Sequence, residues 1–438
     1  MARTLGQSFG RRFPQFVGES GRYALALVGL CLLIRLVPAA LIWGADDMGA
    51  WIRVAHRIGG MNPYRTGFVN WPPLWLGWLF YARRLTEIYG VPLPFAIKLG
   101  PILADLAITL TLYSHFRRDG EARSAFRQSL WYALNPVAFY TSAFHGQFDS
   151  FPVLFGLLAT LAVYNAKPGV GWLRSTFWLG MAAFAKTWPI LLLPGLVREA
   201  RTYSRKVLYV VMALALPVIS VGLLYLDDPV PIRRYVLNYR SAAEWWGLTS
   251  LDCLLTHTAA GWVNRMVSWL FYGAMLGTYV FLWRQDRRVD PLRASCLILV
   301  TFFVFTSGFG IQYLLWVLPI ALLADGRRAR LYSLLTSVTI TVQYIFRPFN
   351  GTYFQFLAHG PQRTAAFFRV YGTAHDKLWN AVTLAPLWLF FVWWWIGLLR
   401  EARSASRNTF DTAVVWGSSL SQTQDASVDE NKSEALSP

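Results

Sequence analysis

Charge and cysteine are both scarce in this chain. Of 438 residues only 15% are charged, against 55% hydrophobic and 16% aromatic. A soluble domain carries about 25% charged residues, so the composition excludes an ordinary water-exposed fold and implies a chain that crosses a membrane repeatedly. The three cysteines, Cys31, Cys253 and Cys296, form no CxxC or Cys/His pattern, which argues against a disulfide framework or a zinc site. HExxH, GxSxG and a glycine-rich phosphate loop are all missing, as is a dinucleotide fold for hydride transfer. No cleavable leader is evident; the first apolar run reads as a signal anchor. Nor is there a repeat of fixed period.

Positive charge is what the chain does have, at a net +18. It is not gathered into one patch, as a nucleic-acid surface requires. Short clusters fall between apolar runs instead: Arg11-Arg12, Arg117-Arg118, Arg198 to Lys206, Arg284 to Arg288 and Arg327 to Arg330. Basic loops stay on the cytoplasmic side, and this fixes a topology. The N-terminus lies inside, and a first span at 23–43 leads out to Asp46 and Asp47. The next apolar stretch, Trp71 to Tyr81, is shorter than the roughly 17–25 residues a span needs. If it crossed, the basic loop 117–127 would lie outside. Residues 71–89 are therefore expected as an interfacial helix, with 47–58 as a second, inside one long outer loop over 44–94.

Further spans are expected at 95–116, 128–144, 150–165, 172–186, 187–199, 206–226, 264–283, 294–307, 311–324, 331–346 and 377–399. The total is about twelve, with both termini inside and further outer loops at 227–263 and 347–376. The expected fold is an all-α polytopic membrane domain over 1–400. A Ser-rich polar tail, 401–438, should be disordered and cytoplasmic. Several spans are short or broken by Pro, Gly or polar groups, which is tolerated where they line a cavity. Asp105 inside the second span needs a partner, and Arg35 is a candidate.

On this topology polar residues gather outside. The first loop holds Asp46, Asp47, Asn62, Tyr64 and Arg65. A turn carries His145, Gln147 and Asp149, a second carries Lys186, and Gln312, Tyr313 and Arg347 follow. A carboxylate near cations suits transfer onto a hydroxyl: the acid accepts the proton and cations stabilise a phosphate leaving group. Plain structural readings exist. Asp46-Asp47 and Asp149 could be helix caps, His145 a satisfied interfacial histidine, and Lys186 a snorkelling lysine.

In order, Asn62-Pro63-Tyr64, Trp71-Pro72-Pro73-Leu74, Lys98 to Leu106, Leu134-Asn135-Pro136, His145 to Ser150 and Ala185 to Pro189 resemble motifs of the GT-C superfamily of glycosyltransferases. The pattern is similar to that of prokaryotic integral-membrane mannosyltransferase-like proteins. His145 and Trp71 depart from the commoner Trp and Tyr at those places. The resemblance implies a polyprenyl-phosphate-sugar donor, a glycan, lipid or protein acceptor, and no cofactor or divalent metal. Asp47, or alternatively Asp46, would be the base. Lys186, Arg347 and Arg65 would meet the donor phosphate. His145, Gln147, Asp149, Asn62 and Tyr64 would hold the sugar or acceptor. It also implies an extracytoplasmic active site in a bacterial or archaeal cell membrane, or the endoplasmic reticulum in a eukaryote. A transporter or flippase would instead need acids and bases at mid-membrane depth. A lipid-linked glycan polymerase or ligase would use the later loop with Arg233, Arg234, Arg240 and Glu244.

Overall fold

Apolar helices dominate the chain and few of them are amphipathic. The computed structural model describes residues 18–118, 120–167, 170–239, 246–256, 261–285, 289–346 and 382–404. In chain order the helices are α1 Glu19–Leu41, α2 Asp46–Arg57, α3 Leu74–Tyr89, α4 Leu93–Arg118, α5 Ala122–Ala133, α6 Pro136–Phe139, α7 Ser150–Tyr164 and α8 Trp172–Ala185. There follow α9 Leu193–Leu196, α10 Tyr203–Asp227, α11 Pro229–Pro231, α12 Gly247–Thr256, α13 Gly261–Arg284, α14 Pro291–Phe305, α15 Leu314–Ala324, α16 Gly326–Thr341 and α17 Val382–Ser404.

Five helices among the described residues are long and apolar enough to cross a bilayer: α1, α4, α10, the Trp262–Arg284 stretch of α13, and α17. α10 and α13 leave apolar surface outside: Val211, Leu223, Leu226, Trp269 and Leu276 are all exposed. Large continuous apolar faces of this kind are paid for only in lipid. The protein is thus an integral membrane protein of all-α class.

The expected count of twelve full spans is not established. Residues 187–199 form a 3-10 turn, the single turn α9 and another 3-10 turn, because Pro189 and Pro194 interrupt the helix. The expected span 128–144 likewise breaks at Asn135-Pro136, where Asn135 caps α6 by accepting from the Val137 amide at 2.9 Å. These broken pieces are buried in protein, as are the short helices α14 and α15.

Helices form at both places where the first loop is expected to carry them, α2 and α3. α2 buries Met48, Trp51, Val54 and Ala55, and α3 buries Trp75, Leu76, Leu79 and Ala82, in one shared cluster. α3 begins directly after Pro72-Pro73 and ends at Gly90, whose φ of 68° suits glycine.

Asp105 ties the centre together. It accepts from Arg35 at 2.8 Å, Ser142 at 2.7 Å, Tyr132 at 2.8 Å and Ser150 at 2.7 Å. Arg35 and Asp105 are both fully buried, and the Arg35 guanidinium also donates to the Cys31 and Ala133 carbonyls. This is the partner expected for Asp105, and four donors satisfy the sealed carboxylate. The far end of the bundle carries the Arg328–Asp325 and Arg328–Glu401 pairs, at 2.7 and 2.6 Å.

Candidate active site

Asp47 is the second residue of α2, so its carboxylate sits at a helix N-terminus, where backbone amides favour negative charge. The cap reading fails for it. The N-cap is Ala45 and no side chain caps the helix. Instead, Oδ2 of Asp47 accepts from His145 Nε2 at 2.9 Å and from the Gln147 amide. Oδ1 has no hydrogen-bond partner among the described residues, and the side chain keeps 44% of its surface exposed. Burial alone would raise Asp47, but the hydrogen bond and charge of His145, then Lys186 and Gln147, outweigh it and hold the group below the ordinary 3.8.

His145 is oriented from behind. A carboxylate only accepts, so Nε2 carries the proton toward Asp47. Nδ1 faces the Tyr344 hydroxyl, accepting from it when the ring is neutral and donating to it when the ring carries the charge that lowers Asp47. Gly146 holds the His145–Gln147 turn at φ 79°. A Cβ there would lie 2.4 Å from Met48 Cε. Gly146→Ala is expected to cost about 1–2 kcal/mol from the left-handed backbone alone. Turnover should fall more than stability, because His145 and Gln147 move with the turn; melting and turnover measured on one preparation check this.

Lys186 ends α8 and donates to both oxygens of Asp149, at 3.0 and 2.9 Å. Asp149 is fully buried and also accepts from Trp316 Nε1 at 2.6 Å. The Asp149 side chain therefore makes no capping bond to α7 and does not line the cavity; it aims Lys186. That corrects its expected role as a sugar contact. Lys186 lies over the Phe148 and Tyr313 rings, 4.9 and 5.6 Å from their centroids.

Asp47, Gln147, Lys186 and Gln312 open on one cavity of 160 Å³. Its walls are aromatic: Trp51, Trp71, Trp188, Tyr313 and Trp316. Trp188 and Trp316 stack at 4.5 Å between centroids, and Tyr313 stacks on Trp316 at 4.1 Å. Flat apolar faces with polar rims suit the C–H faces of a sugar ring.

Three expected ligands stand elsewhere. Asn62 caps the turn 63–66 and donates to Asp227 at 2.9 Å. Tyr64 is buried and donates to the Trp71 carbonyl at 2.8 Å, and burial pushes its hydroxyl pKa up. Arg65 pairs with Asp228 at 2.6 Å. Asn62 and Arg65 pin the first loop to the end of α10, Tyr64 braces the loop internally, and none of the three lines the cavity. Arg347 and the Asp46 side chain lie outside the described residues. Tyr344, Trp188 and Trp316 were missed as site residues; Trp188 lies in the Ala185 to Pro189 motif, but nothing local marks any of the three as part of the site.

Comparison with known proteins bears on this segment. Residues 72–225 match the model of the dolichyl-phosphate-mannose-protein mannosyltransferase family. The matched stretch contains His145, Gln147, Asp149 and Lys186 and begins after Asp47. A solved structure of ArnT from Cupriavidus metallidurans bound to undecaprenyl phosphate is similar at 14% identity and a TM-score of 0.47, over 88% of this chain and 78% of that one. No curated protein matches the chain.

Proposed function

We propose, from the premise that this chain is a GT-C-type membrane glycosyltransferase, that it moves a sugar from a polyprenyl-phosphate donor to an acceptor hydroxyl on the extracytoplasmic face, with inversion. The sugar is a hexose, mannose in the first instance, or a pentose, and the acceptor is a glycan, lipid or protein. The observation that carries the reading is the Asp47 carboxylate, partly exposed, with Oδ1 unpartnered among the described residues, on an aromatic cavity that Lys186 also lines. Asp47 accepts the proton of the acceptor hydroxyl as that oxygen attacks the anomeric carbon. The bond to the phosphate oxygen breaks, and polyprenyl phosphate leaves toward Lys186. The Lys186–Asp149 pair is neutral overall, so Lys186 acts as an aimed donor to the phosphate more than as a net charge. The leaving group is a phosphate monoester, and this reading assigns it no metal; among the described residues Lys186 is the cation that lines the cavity.

Transfer from radiolabelled polyprenyl-phosphate-mannose, -glucose and -arabinose into membranes containing the chain tests the proposal; no transfer from any of them overturns it. Lys186→Met is expected to raise the donor KM by ~10–100-fold, the loss of one charge-assisted hydrogen bond, and steady-state kinetics in detergent check it. The pH profile carries a sign. Asp47 must be ionised to accept a proton, and its pKa is held down, so kcat/KM stays level on the acid side until the pH falls below the 3.8 of an ordinary aspartate. An acid limb near pH 6 would assign the base to another group.

A further inference from the structure

A second site lies at the opposite end of the bundle. α4 carries Lys98, which donates to the Ile42 carbonyl just before α2, and ends at Arg118. Twenty positions at ~1.5 Å each separate the two by about 30 Å, one hydrocarbon thickness. Where α4, α7 and α8 diverge at that far end, they enclose a cavity of 550 Å³ lined by Arg118, Arg174, His115 and Asn165. Among the described residues no Asp or Glu lines it, while Leu158 and Trp178 supply an apolar wall. Arg118 and Arg174 are exposed and form no ion pair among the described residues. They differ in this from Arg35, Arg65, Arg83, Arg84, Arg293 and Arg328, each of which has an acid. Beside Arg174 on α8, Leu173 and Phe177 are exposed apolar side chains, the surface an acyl chain would run along.

We propose that this crevice binds the phosphate of an anionic phospholipid headgroup from the leaflet opposite the Asp47 cavity. Two guanidiniums with no acid partner among the described residues line one pocket about a hydrocarbon thickness from the Asp47 side, beside exposed apolar side chains; basic pockets between spans recognise such headgroups. Arginine's planar fork suits the phosphate oxygens, and Asn165 and His115 add polar contacts.

The test is native mass spectrometry of the full chain in detergent with dioleoyl-phosphatidylglycerol, dioleoyl-phosphatidylcholine or inorganic phosphate. Phosphatidylglycerol should bind at least about tenfold more tightly than phosphatidylcholine. Arg118→Gln with Arg174→Gln should weaken it by about fivefold per arginine, about 25-fold together. Arg118→Lys with Arg174→Lys should retain most of the affinity, and Asp47→Asn should bind like the parent. Equal binding of phosphatidylglycerol by the parent and the double Gln variant overturns the proposal, as does equal binding of the two lipids. Inorganic phosphate competing at the same concentration as the lipid overturns the headgroup assignment in favour of a free phosphate site.

Discussion

Asp47→Asn is expected to lower kcat by ~10²–10⁴-fold, the range a positioned general base contributes, while the protein stays folded. The amide keeps the shape of the carboxylate but has no proton affinity to offer an attacking hydroxyl. Stability should change little, by about 1 kcal/mol or less, because the side chain is partly exposed and lies outside the buried network. The measurement is kcat at saturating donor together with thermal unfolding of the same preparation. A fall in kcat with donor KM held within about threefold identifies an interaction made in the transition state. Asp46→Asn is the companion variant. If it alone loses turnover, the base is Asp46. If both variants turn over normally, no base resides in this loop.

How much of this was legible in the sequence depends on what each residue had for company. Asp47, His145, Gln147 and Lys186 stand in short polar turns between apolar runs, and polarity in apolar surroundings is visible one residue at a time. Asp105 and Arg35 were visible for the same reason, since an ion inside a span asks for a counter-ion. Trp188, Trp316 and Tyr344 were not. The chain has 21 Trp and 20 Tyr, and which of them meet depends on helix packing across more than a hundred residues. Asn62, Tyr64 and Arg65 share the expected side of the membrane with Asp47, but side is coarser than place. Asp227 and Asp228, at the far end of α10, claimed Asn62 and Arg65 first. Hydropathy also overstated the spans at 128–144 and 187–199, because it counts apolar residues and does not see that Pro136, Pro189 and Pro194 remove amide donors.

The largest loss of stability is expected from Asp105→Leu, about 3–5 kcal/mol. The side chain is fully buried, and its removal strands the equally buried Arg35 guanidinium without a counter-charge. Tyr132 and Ser150 also lose their acceptor, whereas Ser142 keeps a second bond, to the Ala138 carbonyl at 3.0 Å. Adding Arg35→Met to Asp105→Leu should recover much of the loss, because the unpaired charge disappears and only neutral groups, the hydroxyls and the Ala133 carbonyl, lose a partner. Thermal unfolding in detergent should rank the parent first, the double variant second and the single variant last; a single variant as stable as the double would sink the argument. Function separates this acid from Asp47. Transfer per folded molecule should be nearly unchanged in the double variant, since Asp105 does not reach the cavity. A transporter that used Asp105 to carry a proton or ion would show the reverse, a folded double variant with no activity. The pair Asp47 and Asp105 thus divides chemistry from architecture within one chain: one carboxylate keeps an oxygen open to a ligand, the other spends both oxygens joining α1, α4, α5 and α7.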